Sequence, residues 1–233
     1  MKKLLWLVVF FTLFSWASAQ QPRMYTLRPD LPVNEQIADS DQYLYPSFRQ
    51  GAAIFTKPGA AQARFNYNLL LDEMQYISSK NEKLGIANPA ELISLQIGNR
   101  SFVFIRNGYF EVLLQGKVSL LLKRKAMLNL EGKDIGYGTS SSTSSISSVD
   151  FHNTDNGKMN RLAVAGTYRL QRDSTYWIYN GKELFPAGKI KGYLKLFPGH
   201  DAQIKQYMQN ESPDLLKEDG IRKLLEYCSK RTS

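Results

Sequence analysis

Ser101-Phe102-Val103-Phe104-Ile105-Arg106-Asn107-Gly108-Tyr109-Phe110-Glu111-Val112-Leu113-Leu114-Gln115 is two β-branched and aromatic runs joined by a turn dipeptide. Both central residues of the turn that matches strand twist need positive φ, which Asn and Gly adopt at least cost. Asn107-Gly108 therefore predicts a tight hairpin of fixed register. The same grammar repeats on either side. Lys57-Pro58-Gly59 separates Ala52–Thr56 from Ala63–Leu71, and Gly98-Asn99 separates Leu92–Ile97 from Ser101–Ile105. Gln115-Gly116 leads into Lys117–Lys125, and Asn180-Gly181 joins Thr175–Tyr179 to Lys182–Ala187. Turns recurring about every 8 to 14 residues give about eight strands and leave no room for helical crossovers. The pattern predicts a mainly β fold: an antiparallel meander forming a sandwich, roll or barrel over residues 51–187.

The flanks differ. Residues 1–19 carry Lys2 and Lys3, an apolar run Leu4–Phe14 and the small-x-small site Ala17-Ser18-Ala19, the pattern of a signal peptide cut before Gln20. Eleven apolar residues fall short of the roughly 20 that span a bilayer. Tyr109–Leu122 is interrupted by Glu111, Gln115, Gly116 and Lys117, so no transmembrane segment is expected. A lipoprotein needs a cysteine at the cleavage site. The single cysteine is Cys228, so neither a lipid anchor nor an intramolecular disulfide is expected. These features predict an exported protein, periplasmic, secreted or associated with an outer membrane.

Residues 20–50 contain Pro22, Pro29, Pro32 and Pro46, which disfavour a long helix or central strand and predict an extended lead-in. The serine-rich run within 139–160 cannot bury enough apolar surface to offset ordering entropy, and predicts a mobile loop. In 188–233, Ile204, Tyr207 and Met208 follow a helical period, as do Ile221, Leu224, Leu225 and Cys228. Two or three short C-terminal helices are expected, one starting at Ser212-Pro213 as N-cap and first helical proline, with Cys228 packed on an apolar stripe.

Several chemistries lack their residues. His152 and His200 are the only histidines and lie in different blocks, so no metal site or histidine-based triad is expected. Neither phosphate-binding glycine motif occurs, and no cofactor is expected. The densest polar cluster surrounds Tyr67, Asp72 and Glu73, where the alternation of Phe65, Tyr67, Leu69 and Leu71 breaks. Adjacent carboxylates serve as an acid and base only where the backbone turns and lets them share a site. The triplet Lys123-Arg124-Lys125 reads as a charged strand end that discourages edge pairing, or as a contact for anionic lipid or polysaccharide. With 30 basic against 21 acidic residues the chain carries +9, which favours anionic surfaces. An exported protein meets little nucleic acid, so none is expected as partner.

Phe65–Ile77, Tyr109–Leu113, Gly116–Leu121, Tyr193–Pro198 and Lys223–Tyr227 resemble a group of uncharacterised exported proteins of the Bacteroidota. The resemblance implies a Gram-negative envelope address and carries no catalytic residues. The expectation is a non-catalytic envelope protein that binds or scaffolds an envelope protein, lipid or polysaccharide. The alternatives are a small-ligand or lipid carrier with a β-lined cavity, and a glycan- or peptide-acting hydrolase using Asp72 and Glu73. The candidate ligand contacts are Tyr67, Asp72, Glu73, Lys123, Arg124 and Lys125.

Overall fold

The computed structural model describes residues 23–57, 59–131 and 165–231. The leader at 1–19 and the serine-rich tract lie outside the described residues. Among the described residues eleven strands form one antiparallel sheet: β1 (Met24–Leu27), β2 (Arg49–Phe55), β3 (Ala60–Asn68), β4 (Glu73–Ile77), β5 (Lys83–Gly85), β6 (Leu92–Ile97), β7 (Arg100–Ile105), β8 (Gly108–Leu114), β9 (Ser119–Leu130), β10 (Gly166–Tyr179) and β11 (Leu184–Pro186). Their order is β1-β10-β9-β8-β7-β6-β2-β3-β4-β5, with β11 also on β10. The two ends of the order do not pair, so the sheet is not a barrel. It rolls over instead: Tyr67 of β3 packs against Phe102 of β7 and Tyr109 of β8, with ring centroids 6.1 and 5.9 Å away.

The roll is held at a fork. β8 and β9 pair only where Glu111–Leu114 faces Leu120–Leu122; beyond Lys123, β9 pairs with β10 alone. The loop Leu69–Asp72 fills the vacated side. Asn68 ends β3 by turning its side-chain Oδ1 to accept from the amides of Leu70 and Leu71, both at 3.0 Å, and thereby shapes that loop. Ala126 N–H then donates to the Leu69 carbonyl at 2.9 Å, and the Tyr67 hydroxyl lies 3.2 Å from the Arg124 carbonyl, close enough to share its one proton there. Backbone groups that β9 loses at the fork are thus satisfied from β3 and its loop.

Residues 23–45 form a strap across the roll. β1 pairs with β10, the one-turn helices α1 (Val33–Gln36) and α2 (Asp39–Gln42) follow, and Tyr43 bridges to Asn68. Asn66 bonds both backbone groups of Tyr45. Arg172 of β10 donates to the carbonyls of Ser40, Asp41 and Tyr43 at the end of α2. The Asp41 carboxylate accepts from Arg23 and from the Tyr25 hydroxyl. The prolines keep the segment out of long elements, yet Leu27, Val33, Ile37, Tyr43 and Tyr45 are buried.

Three helices close the other end: α3 (Ile190–Leu196), α4 (Asp201–Glu211) and α5 (Glu218–Ser229). Ile204, Ile221, Leu224, Leu225 and Cys228 are buried against Leu120 of β9 and Ile178 of β10. Each such aliphatic burial contributes about 2 kcal/mol. Among the described residues, no helix is long and apolar enough to cross a membrane.

Two local expectations are corrected. The residues at positive φ between β7 and β8 are Arg106 and Asn107, at 48° and 64°, while Gly108 is already paired with Ile105 in the sheet. Ser212 starts no helix: it ends α4 in the left-handed region, φ 42°, and α5 begins at Glu218. Serine before proline suits both an N-cap and the exit from a preceding helix, since proline's predecessor avoids helical backbone.

Candidate functional site

Three of the six candidate residues meet at the fork. Asp72, at φ 54° in the loop before β4, directs both carboxylate oxygens at Lys123 Nζ, at 2.6 and 2.5 Å. Its Oδ1 also lies 2.5 Å from the Tyr67 hydroxyl. Tyr67 is 1 % exposed and Lys123 8 %. Lys123 Nζ sits 5.0 Å from the Phe110 ring centroid, so the ammonium rests on an aromatic face and against one carboxylate. Burial lowers its pKa against the opposing pull of Asp72. Burial, and next the Asp72 charge, raise the Tyr67 pKa far above that of a free phenol, so its proton stays in place.

Glu73 goes elsewhere. Its Oε2 accepts from Gln75 Nε2 at 2.6 Å, and Gln75 Oε1 accepts from the Tyr43 hydroxyl at 2.6 Å. Its carboxylate lies over Gly85, where a Cβ would stand 2.1 Å from Oε1. Between the two acids stands Tyr109, whose pKa is raised by burial first and then by both charges. The hydrogen bonds of Asp72 thus run to Lys123 and Tyr67, and Glu73 accepts from Gln75.

The basic triplet is dispersed. Lys123–Lys125 lies in the middle of β9 against β10 rather than at a strand end. Arg124 Nε and Nη2 donate to Glu111 Oε2 at 3.1 and 3.0 Å, and Arg100 Nε lies 3.4 Å from Glu111 Oε1. Lys125 alone is exposed, opposite Asp173. Among the described residues, no buried side-chain polar atom lacks a partner, and no three His, Cys, Asp or Glu side chains gather as metal ligands. This polar network couples β3, β4, β8 and β9, and its members satisfy one another.

A different place is open. A cleft of about 380 Å³ lies between the β2–β3 hairpin and the chain that crosses from β5 to β6. Ala61, Ala63 and Phe65 of β3 line it, with Phe55, Tyr76 and Ile86 as apolar walls. Ala61 and Ala63 set small side chains where larger ones would fill it. That was the available signal: Ala60-Ala61-Gln62-Ala63 is poor strand material, and small side chains on a strand leave a hollow. No family model, curated protein or solved structure matches this chain.

Proposed function

We propose that this protein is an exported, non-catalytic component of a bacterial cell envelope that works as a binding or scaffolding module. The observation that carries the reading is the closed state of its most reactive-looking groups. Asp72, Lys123 and Tyr67 satisfy one another under the sheet, and Glu111 is taken up by Arg124 and Arg100. Away from these groups the protein presents a mainly apolar cleft, walled by Phe55, Tyr76 and Ile86. The carrier reading draws on the same cleft, but the edge of β3 beside it, where Ala60–Arg64 pairs with β2 and not with β4, favours a polypeptide over a small apolar molecule.

The full chain expressed in a Gram-negative host should appear in the periplasmic fraction with its N-terminus at Gln20 by mass spectrometry. Retention of the uncut chain in the cytoplasm overturns the address. Turnover of a glycan or peptide that Asp72→Asn abolishes in a folded protein overturns the non-catalytic part.

A further inference from the structure

β3 is flanked unequally. On one side it pairs with β2 from Ala60 to Phe65; on the other, β4 pairs only from Phe65 to Asn68 and then leaves at Ile77. Antiparallel ladders alternate, so the direction of each backbone group can be assigned. Phe55 N–H donates to the Gly59 carbonyl at 2.7 Å, which sets the phase. Ala61, Ala63 and Phe65 direct their amides and carbonyls to β2. Ala60, Gln62 and Arg64 direct theirs away from it; the Arg64 carbonyl accepts from Ile77 N–H at the last rung of the β4 ladder, and among the described residues no strand pairs with the remaining amides and carbonyls. Ala60, Gln62 and Arg64 are all exposed.

This free edge borders the apolar cleft. Ala61 and Ala63 face into it between the Phe55, Tyr76 and Ile86 walls. Unpaired backbone donors and acceptors in a row recognise another extended backbone, and a hollow beside them takes an alternate side chain of the added strand.

We propose that the Ala60–Arg64 edge of β3 is a strand-addition site for an extended peptide segment of a partner protein, whose bulky apolar side chain fills the Phe55–Tyr76–Ile86 cleft. The added strand continues the line that β4 abandons at Ile77. The small side chains of β3 keep the approach clear; Lys57 and Glu91 at the cleft offset one another, and the exposed Arg64 on the edge leaves a net positive charge that favours an acidic residue beside the apolar one. This inference rests on the binding-module reading and names the chemistry of the partner.

The test is fluorescence anisotropy with the full protein. The probe is a labelled, N-acetylated heptapeptide of alternating valine and threonine, with a central phenylalanine and a glutamate at each end. Expected is saturable binding that is lost when alternate backbone nitrogens of the peptide are methylated, because those nitrogens then have no proton to donate. Gln62→Pro removes the outward amide while sparing the β2 ladder, a placement that edge strands tolerate. It should weaken binding about tenfold, the scale of one backbone hydrogen bond with its desolvation. Amide exchange at Ala60, Gln62 and Arg64 should be fast in the free protein and slow with peptide.

Failure of the wild type to bind, or equal binding of the N-methylated peptide, overturns the proposal. Slow exchange at these amides before peptide is added means another part of the chain covers the edge, and overturns it too. Concentration-dependent dimerisation in sedimentation that Gln62→Pro abolishes would assign the edge to a second copy instead. None of these outcomes bears on periplasmic processing, so the export reading stands or falls separately.

Discussion

The ammonium of Lys123 occupies the space where Gly108 would carry a side chain: a Cβ there would lie 2.5 Å from Nζ and 3.2 Å from Asp72 Oδ2. Gly108 is an ordinary strand residue in backbone terms, so its lack of a side chain serves the ion pair. Gly108→Ala should cost about 1–2 kcal/mol in urea unfolding, and most of that cost should vanish in a Lys123→Ala background. Equal costs in the two backgrounds would show that the contact is not the cause.

Removing one member of the pair should be worse than removing both charges. Lys123→Met leaves the Asp72 carboxylate with the Tyr67 hydroxyl alone and should destabilise by about 3 kcal/mol. Adding Asp72→Asn, which keeps a residue tolerant of positive φ, should recover part of the loss. A double variant no more stable than Lys123→Met would contradict a penalty from unpaired charge.

The strap should loosen in acid. Burial pushes the Asp41 pKa up, but Arg23 and Tyr25 outweigh it and hold the group below its ordinary 3.8. A carboxyl lowered in the folded state stabilises above its unfolded pKa, and that contribution fades as the pH falls through the folded one. The thermal stability gap between wild type and Asp41→Asn should therefore be full at pH 6 and narrow below about pH 4. A gap that widens on acidification would reverse the assignment.

Cys228 is 1 % exposed, and burial raises its thiol pKa to about 11. Labelling by a thiol-specific disulfide reagent at pH 8 should be at least about 100-fold slower in the native protein than in urea. Comparable rates would show that α5 does not seal that side chain.

Local signals survived the passage from sequence to structure, and long-range ones did not. The hairpins around Gly98-Asn99, Asn107 and Asn180-Gly181 follow from turn chemistry acting within a few residues. The stripe Ile221, Leu224, Leu225, Cys228 was equally local. The glycine after Asn107 misled because its reason lies in Lys123, in a neighbouring strand. Asp72 and Lys123 were both singled out, but nothing in their spacing joined them, because the fork between β8 and β9 brings them together. The alanines of β3 point to a hollow, but its place depends on where β4 stops pairing with β3, a register that no short window contains.

The strap also dictates an order of events. Met24 finds its strand partner at Arg169, and Tyr25 at Tyr168, so the first strand waits for most of the chain before it can dock. Loop closure over that span is slow compared with forming the hairpins between them. In a chain that emerges N-terminus first, the meander assembles while its leading end is still unattached. The beginning of the described fold is thus fastened only after the meander beside it has formed.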